Sequence, residues 1–153
     1  MYMWYKRSGV CIAYLDDVEF GTSSEYMAAS WFKRGWTLQE LIAPSNVLIL
    51  NKRWTLNGTK HTLSGTISEA TGIDELVLKT GNIAHVLVAR KMSWASRRET
   101  TRIEDQAYYL LGIFDISMPT IYGEGKRAFI RLQEEVLKRS NDHTLFAWGT
   151  RKI

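Results

Sequence analysis

A chain of 153 residues, 45% apolar and 24% charged, has the length and balance of one globular domain with a real core, not of a disordered or fibrous chain. No run approaches the ~18 consecutive apolar residues that span a membrane, and the opening Met1-Tyr2-Met3-Trp4-Tyr5-Lys6-Arg7 lacks the charged-then-apolar order of a secretion signal. The net charge of +4 gathers in the C-terminal half (Arg97, Arg98, Arg102, Lys126, Arg127, Arg131), yet Glu99, Glu104, Asp105, Glu124, Glu134 and Glu135 are interleaved with it, which favours a solvated, ion-paired surface over a specific nucleic-acid face.

Residues 10–15 (Val-Cys-Ile-Ala-Tyr-Leu) are apolar and partly β-branched and stop at Asp16-Asp17, which predicts a buried strand. The lone Cys11 is expected to be buried within it, cannot form an internal disulfide, and fits a reducing, cytoplasmic setting. Residues 16–30 read as a polar loop with a short helix near 25–29. Thr37 opens a compact helix that Pro44 stops. Residues 46–51 (Asn-Val-Leu-Ile-Leu-Asn) follow as a second buried strand, so strand, helix and strand make a parallel βαβ unit.

Beyond Trp54 the pattern turns helical. Asn57-Gly58 reads as a turn, and Leu63, Ile67 and Ala70 recur at helical spacing until Gly72. A further helix is expected over 83–94. Thr101-Arg102-Ile103-Glu104 has the form of a capping box opening a helix with Ile103, Ala107, Leu110, Leu111 and Phe114 on one face. The longest helix starts near Lys126 and aligns Phe129, Leu132 and Val136, and residues 144–148 read as a last short strand. Two good strands and a doubtful third are few for an open parallel sheet. The unit is therefore expected either to be incomplete or to borrow a partner. Six tryptophans, seven tyrosines and five phenylalanines supply large core or interface contacts.

Chemistry-bearing residues are few. Thr37-Leu38-Gln39-Glu40 is itself a capping box, in which Glu40 satisfies a backbone N–H and meets the helix macrodipole. Tyr122-Gly123-Glu124-Gly125-Lys126 lacks phosphate-loop spacing and reads as a turn and helix start. His61, His85 and His143 are scattered, with no partners at metal-ligand spacing. Neither GxSxG nor GxGxxG occurs on a strand–helix turn. Arg97, Arg98, Arg102, Glu104 and Asp105 suggest a network of caps and ion pairs tying two helices together.

The segment Trp31-Phe32-Lys33-Arg34-Gly35-Trp36-Thr37-Leu38-Gln39-Glu40-Leu41 resembles the WFxRGWTLQEL segment of the fungal heterokaryon-incompatibility (HET) domain. The resemblance continues through MSWASRRETTRIEDQAYYLLGIFDISMP and IYGEGKRAFIRLQEEV, covering the chain from about Val10 to Trp148. It implies an α/β fold: a partial TIR-like, flavodoxin-like parallel βαβ unit in residues 1–55, with a mainly helical extension over residues 56–153 packed on it. HET domains carry further strands and helices upstream, so residues 1–7 look like the tail of a helix from a missing half.

HET domains are similar to TIR domains, some of which cleave NAD between nicotinamide and ribose. Their catalytic glutamate ends a WCxxEL-like pattern. Trp36-Thr37-Leu38-Gln39-Glu40-Leu41 matches it with Thr37 in place of cysteine, so the resemblance implies Glu40 as the catalytic carboxylate. Arg34 then serves a dinucleotide phosphate or a surface ion pair, and Trp36 stacks on a base or anchors the core. NAD enters as substrate, with no cofactor. The alternatives are a death-signalling module that works by assembly and an inactive truncated paralogue. Expected partners are a second copy, an upstream HET half or other signalling domains. An enzyme predicts a cleft beside Glu40 near the end of the 10–15 strand, walled by Arg34 or Trp36; a cap predicts Glu40 folded onto the Thr37 N–H with no cavity.

Overall fold

Cys11–Tyr14 forms β1 and Val47–Leu50 forms β2 in the computed structural model, which describes residues 1–139. The two strands pair in parallel, with Cys11 opposite Val47 and Tyr14 opposite Leu50. Between them run α2 (Ser23–Ala28), a 3-10 turn (Ser30–Lys33) and α3 (Thr37–Ile42). Helix α3 is short and has no side-chain cap at its N-terminus. Packing holds it: Leu38, Leu41 and Ile42 are fully buried, and at ~1.5–3 kcal/mol per side chain they outweigh the ~1 kcal/mol a cap contributes.

A third strand, β3 (Leu56–Thr59), pairs antiparallel with β2, giving a mixed sheet in the order β1-β2-β3. The turn expected at Asn57-Gly58 is thus strand. The chain reverses earlier, where the Asn51 side chain accepts the N–H groups of Arg53 and Thr55. Asn57 instead spends its amide on Asn51 and the Tyr26 hydroxyl, each at 3.0 Å. The sheet therefore continues past residue 55.

Helix α4 (Ser64–Thr71) stops at Gly72 as its periodicity predicts. The helix expected over 83–94 forms over its second part only, as α6 (Val88–Ala95), and an unexpected helix, α5 (Glu75–Thr80), precedes it. Gly81 takes a left-handed conformation (φ 69°) that ends α5, and the following turn is held by the Asn82 side chain on the N–H of Ala84. Helix α7 (Asp105–Tyr108) is one turn long and passes into further turns. The Thr101–Glu104 capping box does not form: no side chain caps α7, and Glu104 accepts the N–H of Gly123 at 2.8 Å. Ile103 is exposed, while Ala107 and Leu110 are buried.

Helix α8 (Arg127–Arg139) buries Leu132 and Val136, with Phe129 packed at the edge of the core. Near the N-terminus, α1 (Tyr2–Arg7) lies against α3 but buries none of its residues. One hydrophobic cluster joins Ala13, Leu15, Val47 and Ile49 of the sheet region to Trp94, Tyr108, Leu110 and Leu132 of the helical part. The fold is α/β with a helical extension. The strand expected at 144–148 lies outside the described residues. Among those described, no helix is long and apolar enough to cross a membrane.

Candidate functional site

Thr37 begins α3, but its hydroxyl faces away from the helix. It lies against the carbonyls of Trp31 and Arg34, the latter at 2.9 Å, and accepts from Nη1 of Arg98 at 2.8 Å. The expected Thr37–Glu40 capping box is therefore absent, because the threonine oxygen is already committed to the preceding turn. Glu40 is correspondingly free of its own backbone. It is half-buried, and its Oε1 accepts the Tyr5 hydroxyl of α1 at 3.2 Å. Burial pushes the Glu40 carboxyl above the ordinary carboxylate range, against the pull of the Tyr5 hydrogen bond and the positive charges of Arg34 and Arg98.

The position of Glu40 along the strand also differs from expectation. Its electrostatic neighbours are Tyr5 and Cys11, at the start of β1 and not at its end. Helix α3 runs back between two parallel strands, so its residues are carried towards their N-terminal side. Cys11 is only partly buried, and its thiol is raised by burial and by the Glu40 charge, with Lys60 opposing. Nothing here generates a reactive thiolate.

Arg34 is exposed and contributes its charge to Glu40 from the turn before α3. Trp36 is half-buried and packs edge-on against Tyr109, with ring centroids 6.5 Å apart. It lines a groove of about 520 Å³ with Gln39, Tyr108, Leu111 and Tyr2. Glu40 lines neither this groove nor a second one, of about 490 Å³, formed by Trp4, Tyr5, Val10, Cys11 and Ile12. Arg34, Trp36 and Glu40 thus share one turn and one short helix; of these two grooves, Trp36 lines the first, and Arg34 and Glu40 line neither.

Two cations that sequence reading leaves in the background organise this region. Arg98, 5% exposed, donates Nη1 to the Arg34 carbonyl at 2.8 Å as well as to Thr37. Burial lowers its guanidinium to about 10, so it stays charged at neutral pH. The segment around it is clamped by Gly35 N–H to Glu99 O (2.8 Å) and Glu99 N–H to Lys33 O (2.7 Å). The expected ion-pair network of Arg97, Arg98 and Arg102 does not form among the described residues. Arg98 bonds backbone and hydroxyl oxygens, and Arg102 sits 4.7 Å over the Tyr122 ring.

Lys60, 2% exposed, sends its ammonium to the carbonyls of Leu41 (2.9 Å), Ile42 (3.2 Å) and Pro44 at the C-terminal end of α3. It caps the negative pole of the helix, and burial lowers it to about 8. Nothing in the local sequence signals this contact, since a lysine after a strand ordinarily points to solvent.

Comparison with known proteins gives the region its context. The chain is 38% identical over 148 residues to the vegetative incompatibility protein HET-E-1 of Podospora anserina. That match covers 90% of this chain but 11% of the relative, so the chain spans about a tenth of that protein's length. A family model described as a domain of unknown function (DUF8212) matches residues 127–152. No solved structure matches the chain.

Proposed function

Because this chain is a HET-related fungal sequence, we propose that it forms part of a heterokaryon-incompatibility protein acting in allorecognition and programmed cell death. Within it, Glu40 is the carboxylate of a TIR-like NAD glycohydrolase site that this chain holds in part. The observation that carries this reading is the setting of Glu40. A carboxylate at the head of a helix ordinarily caps its own backbone. Here it is turned away, half-buried, and flanked by the charges of Arg34 and Arg98.

Cleaving the nicotinamide–ribose bond leaves positive charge on the ribosyl carbon. A carboxylate held out of bulk water stabilises that charge as neutral nicotinamide leaves, and water then adds to the carbon and gives up a proton to solvent. Exposed Arg34 is available to a phosphate of the dinucleotide. Trp36, at its groove, offers an aromatic face to a ring. NAD is the substrate, no cofactor takes part, and the setting is the cytoplasm.

Two features make the isolated chain weak or inactive in this reading. The Tyr5 hydroxyl occupies Glu40 Oε1, so substrate reaches the carboxylate only when α1 moves aside. The sheet is also open at β1: Cys11 and Leu15 donate towards β2, which leaves the backbone groups of Ile12 and Tyr14 facing the outer edge. Val10, Ile12 and Trp4 are exposed beside it. An upstream HET half, a second copy or another signalling domain can complete that edge.

A second reading is favoured by the absence of Glu40 from both grooves around α1. In it the Glu40–Tyr5 bond only fastens α1, and the module signals death by assembly, or is an inactive truncated paralogue. The two separate in fungal cells expressing the Podospora relative with this chain in place of its matching segment. The enzymatic reading expects cell death with NAD depletion, both abolished by Glu40→Gln. Death that persists in the variant with NAD intact would establish assembly instead.

A further inference from the structure

A smaller cavity, about 230 Å³, lies between the segment following α6, α7 and the start of α8. Ile103, Tyr109, Phe129 and Ile130 form apolar walls, and Arg98 and Lys126 line it as cations. Arg98 is buried and half satisfied. Its Nη1 serves Arg34 and Thr37, but its Nη2 has no hydrogen-bond partner. No carboxylate among the described residues forms an ion pair with it.

Leaving a buried donor without an acceptor is destabilising, and more so when it is charged. The fold thus keeps a buried cation, with only the longer-range charge of Glu40 to offset it, beside an apolar hollow. Lys126 adds a second positive charge from the exposed rim, directly before α8, whose N-terminal pole is also positive. Apolar walls with converging cations are complementary to an anion carried on an apolar body. The volume falls below the ~300–1,000 Å³ of sites for drug-sized ligands, which excludes a dinucleotide and favours a compact molecule.

We infer that this cavity binds a small organic carboxylate. Its carboxylate accepts from Lys126 and faces the Arg98 guanidinium, and its ring-sized apolar body lies against Ile103, Phe129 and Ile130. The ligand supplies the close ion pair that no carboxylate among the described residues makes with Arg98. Arg98 also fixes the Arg34–Thr37 turn, so occupancy of the cavity stiffens the base of α3.

Fluorine NMR titration of the whole chain tests this with para-trifluoromethylbenzoate as probe and neutral para-trifluoromethylbenzamide as control. The acid is expected to bind saturably and the amide about tenfold more weakly or worse. Lys126→Gln, at an exposed site, should weaken the acid about threefold to tenfold and leave the amide unchanged. Ile130→Trp, which fills the cavity from its rim, should abolish acid binding while thermal melts show both variants folded. Equal binding of acid and amide, no saturable binding of the acid, or acid binding that survives both substitutions would each overturn the inference.

Discussion

Glu40 shows how one hydrogen bond redirects a side chain's role. A carboxyl raised by burial holds its proton more tightly in the folded chain than in the unfolded one. Stability therefore falls as pH rises through the interval above the ordinary carboxylate value. Glu40→Gln removes that loss and keeps a carbonyl oxygen for the Tyr5 hydroxyl. The variant is expected to melt higher than the wild type at neutral pH and together with it below about pH 4. Parallel pH profiles for the two proteins would contradict the assignment. Lys60 runs the other way. Its ammonium is depressed to about 8, so its contribution to stability rises with pH from there towards the free-lysine value of about 10.4. Lys60→Met orphans three carbonyls at the end of α3, and a loss of about 1–3 kcal/mol is expected in denaturant melts. The gap to the wild type should widen above pH 8, and a gap that narrows there would refute the buried-ammonium account.

At the level of elements, close approach decides what local pattern cannot. Gly35 lies where the turn before α3 meets the segment at residue 99, and a Cβ there would stand 2.6 Å from the Thr100 methyl and from the Tyr109 ring. Gly35→Ala is expected to cost about 1–3 kcal/mol by overpacking, read as a lower denaturation midpoint with unchanged slope; a neutral effect would mean the clamp is loose. The parallel pair β1–β2, the intervening α3 and the boundaries of α4 and α8 were legible, because apolar periodicity and punctuation by Asp16, Pro44 and Gly72 act locally. Strand β3 was not, because Leu56-Asn57-Gly58-Thr59 carries little strand propensity and is held by β2 and by the Asn51–Asn57–Tyr26 side-chain chain. Both capping boxes failed for a related reason. Thr37 and Glu104 have the right spacing, but distant partners, Arg98 and Gly123, claim their oxygens. Sequence placed Arg34, Trp36 and Glu40 together along the chain, but no local pattern announces the Tyr5 hydroxyl on Glu40 or the Tyr109 ring against Trp36.

The whole molecule is a small three-stranded sheet, open at β1, sharing one core with a helical extension. A chain spanning about a tenth of its relative's length works within a larger assembly in the reading advanced above. Its β1 edge has Ile12 and Val10 exposed beside it, and in that reading added strands complete the sheet there and displacement of α1 uncovers Glu40. In that reading Glu40 serves chemistry that only the larger protein completes. The most direct measurement is nicotinamide release from NAD by the purified Podospora relative carrying this chain in place of its own segment, with and without Glu40→Gln, both confirmed folded by thermal melts. The account predicts release by the first protein and a loss of about 10²–10³-fold in the second. No release from either protein, or equal release from both, would contradict it.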